Sequence, residues 1–249
     1  MTMTQYIDVL PDKSAVIDRS VALIVEKIQT AIAQRGTCTI ALSGGSTPKP
    51  IYEAIAGHDL PWDKLHIFWG DERYVAPEHP DSNQRMAREA WLDRVPFPPE
   101  NLHPIPTAGQ DPETDAQAYD QHLQAFFGLE SGQFPQFDIM LLGMGDDGHT
   151  ASLFPETEAL EVCDRSVTVG NKDGEPRITL TVPVLNLSQT IIFAVAGENK
   201  QTAVAQVFAR EGDEATYPSR LIQPVDGEIY WLLDAAAGAE VTPSSTSAE

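Results

Sequence analysis

The segment TCTIALSGGSTP (residues 37–48) joins a short β-branched and apolar run to two glycines, three hydroxyl side chains and a proline. The run 37–42 predicts a buried strand, and Pro48 is typical of the first turn of a helix, which we expect to continue to about Ala56. A strand that passes directly into a helix is the unit from which parallel sheets are built. The segment therefore indicates an α/β fold.

The same alternation recurs along the chain. Further strands are predicted at 65–69, 137–142, 177–182, 190–196 and 228–233, and helices at 14–35, 82–95, 112–129 and 200–210. This order predicts a mostly parallel, Rossmann-like sheet with helices on both faces, formed by a single domain over residues 1–238. The small and polar segment 239–249 is expected to be a disordered tail. In such sheets, ligands bind beyond the carboxyl ends of the strands.

Composition excludes several classes of partner. The formal net charge of −21 argues against nucleic acid and against an anionic membrane surface. We find no apolar stretch long enough to span a membrane and no secretory signal pattern at the N-terminus. The two cysteines, Cys38 and Cys163, are expected to be buried free thiols in a reducing compartment. Together these features predict a cytoplasmic protein.

The loop after the first quoted strand has the composition of an anion-binding site. Gly44 and Gly45 allow close approach of the backbone, and Ser46, Thr47 and the N–H groups at the start of the helix can hold an anion. The spacing is not that of a Walker A loop. The alternative is an ordinary tight turn between a strand and a helix.

Cations follow other strands, and the chain has only 16 lysines and arginines in total. Asp71 and Arg73 come directly after the strand at 65–69, where a guanidinium can hold a phosphate or carboxylate at two points. Arg177 begins the predicted strand at 177–182, and Lys200 lies in the first turn of the helix predicted at 200–210. The alternatives are a solvated Asp–Arg pair for the first two and ordinary surface cations for the others.

The glycine-rich loop GMGDDGH (residues 143–149) follows the strand at 137–142. Its spacing matches G-x-G-x-x-G, but two aspartates inside the loop would face a dinucleotide's pyrophosphate. Pro155 would also interrupt the helix that such a fold requires. A carboxylate next to an imidazole instead fixes the tautomer of the imidazole and raises its basicity. We therefore predict that His149 is a general base and that Asp147 assists it; the alternative is a structural histidine.

No HExxH motif, paired CxxC motif or histidine-rich cluster occurs in the sequence. The sequence therefore predicts no metal site.

Several stretches resemble the 6-phosphogluconolactonases of the pentose phosphate pathway. They are SGGSTP (43–48), WGDERYV (69–75), PDSN (80–83), FDIMLLGMGDDGHTASLFP (137–155), PRITLT (176–181), AGENK (196–200), YPSRLIQP (217–224) and YWLLDAAA (230–237). The resemblance covers nearly the whole chain in order. It implies the fold of sugar-phosphate isomerases and deaminases, and hydrolysis of 6-phospho-D-glucono-1,5-lactone without a metal or cofactor.

Carried over by these motifs, His149 resembles the general base, and Arg73 and Lys200 resemble phosphate ligands. The loop of Gly44, Gly45, Ser46 and Thr47 would enclose the sugar phosphate. Asp71, Asp147 and Arg177 also fall on matching positions, with roles that the resemblance does not specify. The implied partner is the small lactone; no oligomeric state is predicted.

Two other functions fit part of the pattern. An amino-sugar-phosphate isomerase or deaminase would share the loops, but these deaminases carry tyrosine at the position of Arg73. They also have an Asn-Glu-Pro ending where this chain has Ser152-Leu153-Phe154-Pro155. A non-catalytic sugar-phosphate sensor would keep the binding loop and the cations without needing His149 as a base.

Overall fold

The computed structural model describes residues 3–109, 111–242 and 244–247 of the chain. Its strands are β1 (Thr4–Leu10), β2 (Cys38–Leu42), β3 (Leu65–Trp69), β4 (Asp71–Arg73), β5 (Leu102–His103), β6 (Ile139–Leu142), β7 (Val167–Lys172), β8 (Glu175–Leu180), β9 (Thr190–Val195), β10 (Glu228–Asp234) and β11 (Ser244–Ser247). Its α-helices are α1 (Lys13–Arg35), α2 (Pro48–Ile55), α3 (Asn83–Ala87), α4 (Pro112–Phe127), α5 (Val182–Leu187) and α6 (Gln201–Phe208).

The main sheet has the strand order β11-β1-β10-β9-β6-β2-β3-β5, and all neighbouring pairs in it are parallel except β1 with β11. From β2 the chain continues outward through β3 and β5, whereas β6, β9 and β10 extend in the other direction. The order therefore reverses between β2 and β6. Loops leave the carboxyl ends of these two strands in opposite directions and open a crevice, which is where ligands bind in open α/β sheets.

Helices cover both faces of this sheet. Alternate residues of a strand point to opposite sides of the sheet, and in β10 each side contacts a helix. Tyr230 of β10 faces α1, where the Nζ atom of Lys27 lies 5.4 Å from the tyrosine ring centroid. The next residue, Trp231, faces the other side and contacts Phe208 of α6 at a ring separation of 5.1 Å. The predicted mostly parallel α/β sheet with helices on both faces is confirmed.

The ends of the long helices follow their capping residues. The Asp12 side chain accepts a hydrogen bond from the N–H of Ala15 at the start of α1, and Gly36 ends that helix with a left-handed φ of 83°. Asp111 caps α4 in the same way through the N–H of Thr114. The ends of α1 and of α4 agree with the predicted helices 14–35 and 112–129 to within two residues.

A second sheet is the main departure from the predicted fold. The segment predicted as a strand at 177–182 is β8, which pairs antiparallel with β4 and β7 in a separate three-stranded sheet. The pairing of β4 with β8 joins residues about 100 positions apart, and β4 has only three residues. No local pattern marks such a strand. The strand β1 was also not predicted, since only Ile7 in it is buried.

Three further differences are local. The helix predicted over 82–95 is α-helical only in α3 and continues as a π-helical turn, Arg88–Leu92. In the segment expected to be disordered, 239–249, β11 pairs antiparallel with β1, whose outer edge offers unpaired backbone groups. Pro243, Ala248 and Glu249 lie outside the described residues. Cys38 is buried as predicted, but Cys163 is exposed because it follows the 3₁₀ turn Glu158–Glu161 at the surface.

Among the described residues, no helix is both long and apolar enough to cross a membrane.

Candidate active site

The reversal between β2 and β6 opens into a cavity of about 230 Å³. Its walls come from the loops after β2, β3, β6 and β9 and from the start of β8. The sequence-predicted residues that line it are Gly44, Gly45, Ser46, Thr47, Asp71, Arg73, His149, Arg177 and Lys200. Asp147 is reached through its hydrogen bond with His149. The fold thus brings together residues that are up to 156 positions apart in the chain.

The loop after β2 is anchored at its base by a buried tyrosine. The Tyr52 hydroxyl donates to the carbonyl oxygen of Ser43 at 2.8 Å and accepts from the N–H of Ser43 at 3.0 Å. Beyond this anchor, Gly45 has a φ of 112°, a conformation that favours glycine. The Nζ atom of Lys13 donates to the carbonyl oxygen of Ser46 at 3.1 Å. The loop is therefore held from both sides while its outer surface faces the cavity.

His149 is paired with Asp147 through two hydrogen bonds. The Oδ1 atom of Asp147 lies 2.5 Å from Nδ1 of His149 and accepts the backbone N–H of the same residue at 3.0 Å. Burial alone would raise the pKa of the Asp147 carboxyl, but the hydrogen bonds from His149 outweigh it and lower the pKa to about 2. An ionised carboxylate only accepts hydrogen bonds, so the hydrogen of neutral His149 must be on Nδ1. Nε2 then carries the lone pair that a base requires.

Packing and backbone contacts hold this pair in place. The ring of Phe154 lies 4.6 Å from the imidazole ring, centroid to centroid. A Cβ atom on Gly145 would lie 2.1 Å from Nδ1 of His149, so a larger residue at that position would displace the imidazole. The carbonyl oxygen of Gly148 accepts hydrogen bonds from both the N–H and the hydroxyl of Ser219. These contacts restrict the position of the imidazole in the cavity wall.

Two arginines meet across the second sheet. Arg73 of β4 and Arg177 of β8 are directly opposite each other in the antiparallel pair. Burial lowers the pKa of Arg177, and the positive charge of Arg73 lowers it further. The Arg177 guanidinium lies 5.6 Å from the centroid of the Phe154 ring, a cation–π contact. Lys200, at the end of the 3₁₀ turn Glu198–Lys200 after β9, is half-buried and lines the same cavity. The result is a concentration of positive charge in one cavity of a strongly acidic chain.

Asp71 is buried at the edge of the same cavity. Its Oδ2 atom accepts a hydrogen bond from the hydroxyl of Ser152 at 2.7 Å. The backbone N–H of Ser152 in turn donates to the Thr179 hydroxyl of β8. This contact joins the loop that carries His149 to the second sheet.

Sequence reasoning missed the residues that support the site. Glu72 is buried and accepts hydrogen bonds from the backbone N–H groups of Arg73, Asn83 and Gln84 and from the hydroxyl of Ser82. Burial raises the pKa of its carboxyl, against the effect of these donors. Asn83 contacts Arg73 directly. The strand-to-loop position of Glu72 gave no sign of this role, and Asn83 was read as part of a helix.

In the described part of the chain, no group of three or more histidine, cysteine, aspartate or glutamate residues is arranged to hold a metal ion.

Comparison with known proteins identifies the family. The family model described as "Glucosamine-6-phosphate isomerases/6-phosphogluconolactonase" matches residues 11–231. The chain belongs to this family. It is 62% identical to a 6-phosphogluconolactonase of Nostoc sp. over 96% of this chain and all of the relative. It is 57% identical to one of Synechocystis sp. over 97% of this chain and all of the relative.

Solved structures agree with this assignment. A 6-phosphogluconolactonase from Trypanosoma cruzi has a TM-score of 0.87 and 29% identity, covering 97% of this chain and 98% of that one. A monomeric glucosamine-6-phosphate deaminase has a TM-score of 0.78 at 16% identity, covering 94% of this chain and 99% of that one, which shows a shared fold alone. The predictions of a sugar-phosphate isomerase-like fold and of a lactonase of the 6-phosphogluconolactonase kind, an ester hydrolase, are confirmed.

Proposed function

We propose that the chain hydrolyses 6-phospho-D-glucono-1,5-lactone to 6-phosphogluconate, in the oxidative pentose phosphate pathway, with His149 as general base. The observation that carries this proposal is the His149–Asp147 pair, whose imidazole lines the same cavity as Arg73, Arg177 and Lys200. A base and a group of cations in one cavity suit a substrate that has both a reactive carbonyl and a phosphate.

The phosphate supplies binding energy that orients the reactive end of the substrate. Arg73 and Lys200 contact the phosphate, and Gly44, Gly45, Ser46 and Thr47 enclose it. Arg177 adds positive charge beside Arg73. Asp71 accepts hydrogen bonds from hydroxyl groups of the sugar.

The chemical step is the attack of water on the lactone carbonyl. His149 accepts a proton from the water through Nε2 as the oxygen–carbon bond forms, and the carboxylate of Asp147 stabilises the imidazolium. Backbone N–H groups of the glycine loops are the candidate donors to the oxyanion. When the tetrahedral intermediate collapses, the bond from the carbonyl carbon to the ring oxygen breaks. The imidazolium returns the proton to that oxygen, which gives the hydroxyl group of the open-chain acid.

Residues 1–238 act as one lactonase domain in this proposal, since the main sheet takes strands from both ends of that range. We also propose a cytoplasmic location, because free cysteines such as Cys38 persist in reducing compartments.

The test is turnover of freshly generated 6-phosphogluconolactone, with spontaneous hydrolysis subtracted at each pH. His149→Ala should lower kcat by roughly 10²- to 10⁴-fold, the usual contribution of a positioned acid–base group, with a much smaller change in KM. The wild-type profile should have an acid limb, because a protonated imidazole accepts no proton, and this limb should vanish in the variant. His58→Ala, at an exposed histidine away from the cavity, is the control.

Three results would count against the proposal. A folded His149→Ala variant that keeps more than about a tenth of the wild-type rate would exclude His149 as the base. Release of ammonia from glucosamine 6-phosphate would indicate the deaminase alternative. Binding of 6-phosphogluconate without any lactone turnover would indicate the sensor alternative.

A further inference from the structure

The guanidinium of Arg73 is held on one side by two hydrogen bonds. Its Nη1 atom donates to the Oδ1 atom of Asn83 at 2.7 Å and to the carbonyl oxygen of Asp81 at 2.8 Å. Arginine has a long side chain with many rotamers, so a fixed guanidinium requires such acceptors. Asn83 is the one of these two partners that contributes a side chain.

The orientation of the Asn83 amide is determined by its other contacts. Its Nδ2 atom donates to the carbonyl oxygen of Asp71 at 2.9 Å, and its backbone N–H donates to the Oε1 atom of Glu72 at 2.7 Å. Because the amide nitrogen faces a carbonyl, the amide oxygen faces Arg73. The residue is also almost fully buried, with 2% of its surface exposed. Asn83 is therefore tied to the strand that carries Arg73.

The same amide oxygen borders the loop after β2. A Cβ atom on Gly44 would lie 1.9 Å from Oδ1 of Asn83, so the amide occupies the space that a side chain at Gly44 would need. Asn83 thus contacts the glycine loop on one side and the Arg73 guanidinium on the other. Both are parts of the site that is proposed to hold the phosphate.

We infer that Asn83 is a positioning residue for phosphate recognition, holding the Arg73 guanidinium beside the backbone of Gly44 so that both act on one phosphate. The inference rests on the proposed function, since it specifies how that site selects phosphorylated lactones. Asn83 does not itself need to contact the lactone carbonyl. Its removal should therefore affect the use of the phosphate rather than the chemical step.

The test compares Asn83→Ala with wild type on 6-phosphogluconolactone and on unphosphorylated glucono-1,5-lactone. For the phosphorylated substrate, kcat/KM should fall about 10- to 100-fold, mostly through KM, because a displaced guanidinium loses a charged hydrogen bond. The rate on the unphosphorylated lactone should stay nearly level. Asn101→Ala is the matched control: Asn101 is also buried and donates to a backbone carbonyl, that of Asp63, outside the cavity. It should leave the preference for phosphate unchanged.

A double-mutant cycle separates positioning from a general structural role. If Asn83 acts through Arg73, adding Asn83→Ala to Arg73→Ala should cause no further loss of preference for the phosphorylated lactone. If Asn83→Ala does not fold, Asn83→Leu keeps a similar volume while removing the acceptor, and the same change in preference is expected. Equal losses on both substrates, or additive losses in the cycle, would overturn the inference.

Calorimetric binding of 6-phosphogluconate gives a readout that does not depend on turnover. Asn83→Ala should weaken this binding by a similar factor, and unchanged binding would overturn the inference even if the wild type is active. Failure of the proposed function looks different: the wild-type chain would then hydrolyse neither lactone, or both equally well. A wild type that does not bind 6-phosphogluconate would overturn both.

Discussion

Three histidines that do not line the cavity form a hydrogen-bonded chain, and we expect this chain to make the stability of the protein sensitive to acid. Nδ1 of His66 lies 3.2 Å from Nε2 of His103, and Nδ1 of His103 lies 2.9 Å from Nε2 of His122. The His103 ring stacks on Phe68 at a centroid distance of 4.3 Å. Burial, together with the smaller effects of the neighbouring His122 and His66, lowers the pKa of His103 to about 4. Burial also lowers the pKa values of His66 and His122.

The sign of the effect follows from the direction of these shifts. In the unfolded chain His103 regains its ordinary pKa of 6.5, so between pH 6.5 and pH 4 the unfolded state binds more protons than the folded state. The contribution of neutral His103 to the free energy of unfolding is therefore fully present above pH 6.5 and is lost as the pH falls toward 4. The full shift corresponds to at most about 3 kcal/mol, and about 2 kcal/mol of this should be lost between pH 7.5 and pH 5.

The assay is urea unfolding at pH 7.5 and pH 5 for wild type and His103→Gln. Glutamine keeps a donor and an acceptor but does not titrate. The variant is expected to be less stable at pH 7.5, because the amide fits the aromatic cluster less well, but to lose about 2 kcal/mol less than wild type on going to pH 5. His58→Gln, at an exposed histidine, should lose as much as wild type. The reasoning is refuted if His103→Gln and wild type show the same loss of unfolding free energy.

Two further predictions concern the cations and the thiols. Lys200→Ala should lower the preference for the phosphorylated lactone roughly 10- to 150-fold, the value of a hydrogen bond to a charged group. Lys64→Ala, at an exposed lysine, should leave this preference unchanged. An equal loss of activity on both lactones would instead assign Lys200 to the fold or to the chemical step. In the native protein a thiol reagent should modify Cys163 quickly and Cys38 only on unfolding, because Cys38 is buried and burial raises the pKa of its thiol. Two rapidly reacting thiols in the native protein would contradict this prediction.

The sequence predicted most of the strands that form the cavity, and the structure explains why these signals are local. A buried strand such as β2 is a continuous apolar run, and the glycines after it mark the position where the backbone turns. Parallel strands of this kind deliver the loops at their carboxyl ends to one edge of the sheet. For this reason Arg73, His149 and Lys200 were expected in one place, and they line one cavity.

The parts that were missed depend on contacts between distant residues. The antiparallel pairing of β4 with β8 places Arg177 opposite Arg73, and neither segment indicates its partner. Glu72 accepts hydrogen bonds from the adjacent N–H of Arg73 and from three donors 10 to 12 positions further along the chain, two of them backbone N–H groups of α3. A single sequence shows that Glu72 is acidic but not that it is buried. The second sheet and the support of the site therefore required the structure.

The pairing of Arg73 with Arg177 is unfavourable as local structure. Like charges directly opposite in an antiparallel pair destabilise the pair, and partial burial increases the cost, as the lowered pKa of Arg177 indicates. Residues that break a local rule in this way are typical of functional sites. Buried acceptors offset part of the cost: Asp71 and Glu72 lie on the same strand as Arg73, and Asn83 accepts from its guanidinium. A phosphate between the two arginines would offset more of it. The acidic surface and the cationic cavity are then compatible, because the positive charge is concentrated where the second sheet brings the two arginines together.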